Sequence, residues 1–219
     1  MARNIDTLFK HSFCINLDRR PDRWEKSKDE FDKVGLSVNR YSAVDGPEVL
    51  SDDISKKYRG YKVDRDPKAI IGCLRSHRNL YTMALTAGWQ EMAVFEDDVV
   101  FKNDFRSLFE TFCDQLPVDW LMLFLGCIPL KISNFSNNLR VVQNCWTTHA
   151  YIIRREACEM LETILSNNEH RPIDLSWGPV LNTGRVFTMW PFLAIQRESY
   201  SDIMRTTRSP FKGKYTLNE

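Results

Sequence analysis

Met92 to Phe101 constrains this chain more than any other stretch. Four apolar residues, Met92-Ala93-Val94-Phe95, run into Glu96-Asp97-Asp98, and Val99-Val100-Phe101 follow. Neighbouring carboxylates repel, and each is costly to bury unless a cation compensates it. A buried strand ending in such a cluster implies either a divalent cation held by oxygen ligands or a solvated acidic turn. The rest of the chain has to separate the two.

A length of 219 residues favours one large domain over two small ones. Hydrophobic residues at 43% and six Trp supply a core, and a net charge of +1 gives no electrostatic basis for binding nucleic acid. No apolar run reaches the roughly 18 residues of a membrane span, which leaves at most peripheral membrane contact. Met1 to Lys10 lacks the apolar core of an export signal. Six cysteines (Cys14, Cys73, Cys113, Cys127, Cys145 and Cys158) are scattered singly in apolar neighbourhoods. They read as reduced thiols of a cytoplasmic protein, not as a disulfide frame or a zinc site.

Phe13 to Leu17 reads as a first strand. Pro21 then opens a helix with Trp24, Phe31 and Val34 at helical spacing, and Gly35 suits its C-cap. Leu36 to Val44 reads as a second strand, closed by Asp45-Gly46. Strand, helix, strand is the opening of an α/β domain with a mainly parallel sheet. Pro47 to Pro67 is charged and weakly periodic, a surface loop with a short helix and a candidate lid. Helical spacing runs from Ile70 through Leu80, Tyr81, Ala84 and Leu85 to Gly88, ahead of the acidic strand. Asn103-Asp104 gives an N-cap signal for a helix bearing Phe105, Leu108, Phe109, Phe112 and Leu116. Trp120 to Leu125 reads as a strand buried on both faces. Lys131 to Asn144, rich in Asn and Ser, is expected to loop outward. Thr147 to Ile153 reads as a strand, Arg155 to Leu165 as a helix and Val186 to Trp190 as a last strand. From about residue 205 the chain is a basic tail, expected to be mobile when nothing is bound.

Open α/β sheets bind ligands beyond the carboxyl ends of their strands. Asp18 to Arg23, Glu96 to Asp98 and the segment around Asp174 fall where strands should end. A metal at the acidic cluster needs anionic substrate oxygens, and diphosphate is the usual partner of a Mg2+-like ion. Arg19, Arg20 and Arg23 offer charge-assisted bonds to phosphate or ribose, the alternative being a solvated helix start. Asp174 suits a base that faces an acceptor hydroxyl, with Trp177 beside it to stack on a sugar; the alternative is a helix N-cap. Glu156 and Glu169 are secondary candidates for the base. His77 opens a helix in a Ser-His pair, His149 reads as structural, and His170 is a candidate to complete a metal shell.

Several segments, in order, resemble glycosyltransferase family 25: Cys14-Ile15-Asn16-Leu17-Asp18-Arg19-Arg20-Pro21-Asp22-Arg23, Ala43-Val44-Asp45-Gly46, Ile71-Gly72-Cys73-Leu74-Arg75-Ser76-His77, Phe95-Glu96-Asp97-Asp98-Val99, Ala150-Tyr151-Ile152-Ile153 and Pro172-Ile173-Asp174. The resemblance runs from about residue 12 to residue 203. It implies a GT-A fold, a Rossmann-like three-layer α/β sandwich with a mainly parallel sheet. It also implies an inverting transfer of a hexose, galactose foremost, from a UDP-sugar to a glycan or glycolipid acceptor, as in lipopolysaccharide biosynthesis. Mn2+ or Mg2+ is the implied cofactor, and the acidic triplet the family's version of the Asp-x-Asp (DxD) motif. The pattern His77-Arg78, Ala84-Leu85, Glu96 to Asp98 and Asp104-Phe105 is similar to the N-acetylglucosaminyltransferase I family as well. That similarity implies Asp98 on the metal, Asp97 on the donor ribose and His77 near the uracil, with Glu96 in support. Asp18, Arg19, Arg20 and Arg23 join them at the donor, and Gln196, Ser201 and Asp202 match a weaker late pattern. Phe95 departs from the Leu that many relatives carry. Two rivals remain, a nucleotidyltransferase or other metal-dependent phosphate enzyme and a non-catalytic glycan-binding relative. No Gly-rich phosphate loop supports the first.

Overall fold

A computed structural model describes residues 4–51, 66–167, 172–203 and 206–208. Most of the candidate lid, Glu169, His170 and the tail beyond residue 208 lie outside the described residues.

The chain begins with a short helix α1 (Ile5–Leu8) and strand β1 (Ser12–Asn16). Helix α2 (Pro21–Lys33) carries Pro21 in its first turn, where the missing N–H is not needed, and Gly35 at φ 66° lets the chain turn away behind it. Strand β2 (Asn39–Ser42) and helix α3 (Gly46–Val49) follow. Helix α4 (Pro67–Ala87) is capped by the Asp66 side chain and closed by left-handed Gly88. The acidic strand is β3 (Glu91–Glu96), which turns at once into β4 (Val99–Phe101). Next come α5 (Phe105–Cys113), β5 (Met122–Phe124), β6 (Ile128–Asn134), β7 (Leu139–Trp146), β8 (Ala150–Arg154) and α6 (Arg155–Asn167). Short helices α7 (Ile173–Ser176) and α8 (Gly178–Leu181) precede β9 (Val186–Met189), β10 (Ala194–Gln196), β11 (Ser199–Ser201) and β12 (Thr206–Arg208).

Eight strands form one sheet in the order β2-β1-β3-β8-β5-β9-β7-β6. Six of them point the same way and β8 and β7 are reversed, so the expected mainly parallel sheet is realised in mixed form. The pleat divides the core into two layers. Ala93 and Phe95 of β3, with Ala150 and Ile152 of β8, pack under α1, α2 and α5. Met92 and Val94, with Tyr151 and Ile153, pack under α4 and α6. The result is a three-layer α/β/α sandwich. Under α5, the rings of Phe9, Phe31, Phe95, Phe101, Phe105 and Phe109 meet at centroid distances of 4.9 to 6.1 Å.

One stretch folds differently from its reading. Residues 131–144, expected to loop outward, form most of the antiparallel hairpin β6–β7 at the sheet edge. Most side chains of β6 are exposed or half-buried, so the segment is polar without being irregular.

Two glycines of the motif segments interlock. A Cβ on Gly72 would lie 2.5 Å from the Val44 carbonyl and 2.7 Å from the Gly46 amide, and one on Gly46 would collide with the Lys68 carbonyl. Ser76 strengthens the same junction, accepting from Val44 N at 2.9 Å and donating to the Gly72 carbonyl at 2.8 Å. Backbone cannot yield as a flexible side chain does. Gly72→Ala is therefore expected to destabilise the fold by about 3 kcal/mol, the upper end of overpacking, read as a lower urea midpoint.

Candidate active site

The carboxyl ends of β2, β1 and β3 lie side by side, and β8 enters from the same edge with Ala150 opposite Phe95. Period-two alternation then separates the acids. Val94 belongs to the layer under α4, so Glu96 turns the same way and meets that helix, while Asp97 meets α2.

Glu96 Oε1 lies 3.4 Å from His77 Nε2 and accepts a short hydrogen bond from the Thr148 hydroxyl. Burial pushes its carboxyl up, but contact with His77 and Thr148 outweighs this and holds it below the usual range. His77 has no exposed surface, and its Nδ1 is 2.7 Å from the Tyr151 hydroxyl. The resemblance implied His77 near the uracil of the donor; it lines the smaller cleft and braces Glu96 from beneath. Thr147, at φ 76°, is the bend that delivers Thr148 to Glu96. That conformation is rare for a β-branched residue and marks strain at the site.

Each oxygen of Asp97 has one partner within the chain, and the residue lines the smaller cleft. Oδ1 is 2.5 Å from Arg23 and Oδ2 accepts from Asn16 Nδ2 at 2.6 Å, while Ser27 donates to the Asp97 carbonyl at 2.8 Å. Arg23 and Asp97 are each about nine-tenths buried. Removing the cation leaves a buried, unpaired carboxylate, so Arg23→Ala is expected to lose about 3 kcal/mol in chemical unfolding.

Asp98 is the least compensated. Its Oδ2 is 3.4 Å from both Arg23 and Gln196, and its buried Oδ1 has no hydrogen-bond partner among the described residues. Burial first, then the charge of Glu96, pushes its carboxyl up to about 7, against the pull of Arg23. An orphaned, charge-starved oxygen is what an oxygen-ligated divalent cation would satisfy, so the donor chemistry fits the expected metal at Asp98.

The arginines are not a solvated helix start. Asp202 holds Arg19 and Arg20 at 2.8 Å each and Arg23 at 3.5 Å, and Arg19 also meets Asp45 at 2.6 Å. Asp18 is drawn instead toward β2, by Arg40 at 2.6 Å and Ser42 at 2.7 Å, with its side chain 69% exposed.

Two clefts open here. One of about 420 Å³ is lined by Asp174, Trp146 and Thr148, the other of about 200 Å³ by Arg19, Arg23, Asp97 and Asp202. Glu96, Asp98, Cys73 and Gln196 line both, and so form the wall between them. Asp174 lies in the first turn of α7, where Pro172 takes the N-cap position; its Oδ1 accepts from Leu175 N at 3.0 Å. Trp177 requires a correction. It is fully buried against Phe124 and Tyr151, so its face is not available to a sugar. Trp146, 48% exposed on the cleft wall, has the free ring that sequence reasoning assigned to Trp177. Asn16, Thr148 and Tyr151 were also missed, although all but Thr148 sit in the motif segments. Glu156 pairs with Arg185 at 2.7 Å on an exposed face and lines neither cleft. His149 is buried, with its pKa lowered to about 4 by that burial.

A mixed sheet with an acidic turn and an arginine-flanked cleft at its carboxyl edge is the GT-A-like α/β arrangement that the sequence resemblance implies. Within that class the chain belongs to glycosyltransferase family 25. The model of that family, described as Glycosyltransferase family 25 (LPS biosynthesis protein), matches residues 9–177. A glycosyltransferase 25 family member of Aedes aegypti is 35% identical over 184 residues, 74% of this chain and 30% of that one. Procollagen galactosyltransferase 2 of Homo sapiens is 25% identical over 187 residues, covering 76% and 29%. Inactive glycosyltransferase 25 family member 3 of Homo sapiens is 31% identical over 133 residues, covering 54% and 22%. The chain spans less than a third of the length of these curated relatives. Among solved structures, a glycosyltransferase involved in glycosylation of the major capsid of PBCV-1 aligns over 81% of this chain and 79% of its own, at 9% identity and a TM-score of 0.48.

Proposed function

We propose that the chain carries out a metal-dependent, inverting transfer of a hexose, galactose foremost, from a UDP-sugar to a hydroxyl of a glycan or glycolipid. The observation that carries this reading is the pair of clefts that share Glu96 and Asp98, with Arg19 and Arg23 lining one and Asp174 and Trp146 lining the other. An inverting displacement needs that arrangement, with the leaving diphosphate on one face of the anomeric carbon and a base on the other.

In this reading Asp98 holds Mn2+ or Mg2+, which when bound offsets the charge gained by the leaving diphosphate. Arg19 and Arg20 exchange Asp202 for phosphate oxygens. Asp97, fixed by Arg23 and Asn16, presents its edge to the ribose, and Glu96, braced by His77 and Thr148, keeps the wall rigid. Asp174 accepts the proton of the acceptor hydroxyl, and Trp146 offers a flat apolar face to the acceptor sugar. The names of the human galactosyltransferase and of the matching family support galactose and a lipopolysaccharide-type acceptor respectively. Six cysteines free of disulfides support a cytoplasmic setting. No helix among the described residues is long and apolar enough to cross a membrane.

A thermal-shift series tests the donor. UDP-galactose with Mn2+ is expected to raise the melting temperature more than either alone, since about 100-fold excess over Kd adds roughly 2.7 kcal/mol to the native state. A shift accompanied by turnover of UTP with a sugar phosphate would establish the nucleotidyltransferase reading instead. A shift without UDP release on any glycan acceptor would match the inactive relatives.

A further inference from the structure

Besides the all-oxygen position at Asp98, we propose that Cys73, His77 and Glu96 form a separate site for a borderline-soft divalent cation of the Zn2+ class. Cys73 and His77 are four residues apart on one face of α4, and Glu96 meets them from the end of β3. Spacing alone hides such a site, because the third ligand comes from another element and no cysteine pair announces it. The Cys73 sulfur, a His77 ring nitrogen and a Glu96 carboxylate oxygen all lie within 4.8 Å of one another. Zn2+ bonds of about 2.0 to 2.3 Å place tetrahedral ligands roughly 3.5 Å apart, so side-chain rotations of about 1 Å close the set.

The second observation is the imidazole itself. His77 is fully buried, yet its Nε2 has no hydrogen-bond partner among the described residues; the Glu96 contact at 3.4 Å is long and misaligned for one. Its other nitrogen is anchored on the Tyr151 hydroxyl at 2.7 Å, which in turn meets the Tyr81 hydroxyl at 2.8 Å. An imidazole fixed through one nitrogen with the other turned on a thiol and a carboxylate is the arrangement of metal-binding histidines. Thr148 anchors the Glu96 carboxylate in the same manner. Cys73 is the one cysteine of the six that is not fully buried, and it lines both clefts, so a fourth position would open to water or ligand. One thiol, one imidazole and one carboxylate favour Zn2+ over Mg2+ or Mn2+, which prefer oxygen throughout. Burial, then the neighbouring carboxylates, keeps the Cys73 thiol protonated, and the bound ion supplies the charge that reverses this.

The full chain, stripped with EDTA and desalted, is titrated with Co2+ and then Zn2+. One equivalent of Co2+ is expected to give a thiolate-to-metal charge-transfer band in the near ultraviolet, which Zn2+ abolishes. Cys73→Ser, with circular dichroism to show that it folds, is expected to lose the band and to weaken Zn2+ at least about tenfold in a chelator competition. Asp98→Asn is expected to keep the band. Absence of a band in the parent, a band that survives Cys73→Ser, or Zn2+ affinity that depends on Asp98 and not on Cys73 would each overturn the proposal. Sugar transfer is not the readout, so failure here leaves the glycosyltransferase reading untouched.

Discussion

Asp98→Asn is expected to cut transfer by at least about a hundredfold, the scale of losing a charge-stabilising group, while the metal-free protein becomes more stable. The second half follows from the isolation of the carboxylate. Its folded-state pKa of about 7 stands well above the usual carboxylate value near 4, chiefly through burial. For an acid with a raised pKa, the folded state keeps its proton after the unfolded chain has released it. Stability therefore falls as pH rises through the window from about 4 to 7, by at most about 4 kcal/mol, and the full penalty is present above pH 7. Asparagine carries no charge, and its amide takes the place of the orphaned Oδ1. The variant, treated with EDTA, should melt several degrees above the parent at pH 8, by less than half as much at pH 5, and close to it only near pH 4. His149, held down to about 4, imposes its own opposite pH slope, but equally on both proteins, so the difference isolates Asp98. A variant that melts lower at pH 8 would show that Asp98 is a structural hydrogen-bonding group.

What was legible in the chain was whatever local order encodes. Pro21 and Gly35 bracket α2, and the apolar run into three acids marks β3 and its turn. The division of labour among the acids was not, because it depends on where β3 ends. Only the pleat decides that Glu96 meets His77, from a helix 19 positions earlier, while Asp97 meets Arg23. The hairpin β6–β7 was misread for a related reason: an edge hairpin with exposed faces has the composition of a loop, and its pairing with β9 is a tertiary fact. The exchange of Trp177 for Trp146 shows the same limit. Proximity in sequence placed Trp177 beside Asp174, whereas the short helix α7 turns its successor into the core.

Asp174→Asn separates the two clefts functionally. Asp174 lines the larger cleft with Trp146 and does not line the arginine-bordered one, so donor affinity is expected to be unchanged. Loss of the base should lower kcat by about a thousandfold, within the range of general-base contributions. Calorimetric titration of UDP-galactose with Mn2+ reads the first quantity and UDP release in the presence of acceptor reads the second. Equal falls in kcat and kcat/KM with an unaltered donor Kd would be the mark of a group engaged only as the acceptor loses its proton. A weaker donor Kd with normal turnover would move Asp174 to the donor side and leave the acceptor cleft without a base. Trp146→Ala provides the complementary measurement. It should raise KM for the acceptor and leave the donor Kd alone, because the exposed ring borders the acceptor cleft and no carboxylate of the dividing wall bonds to it.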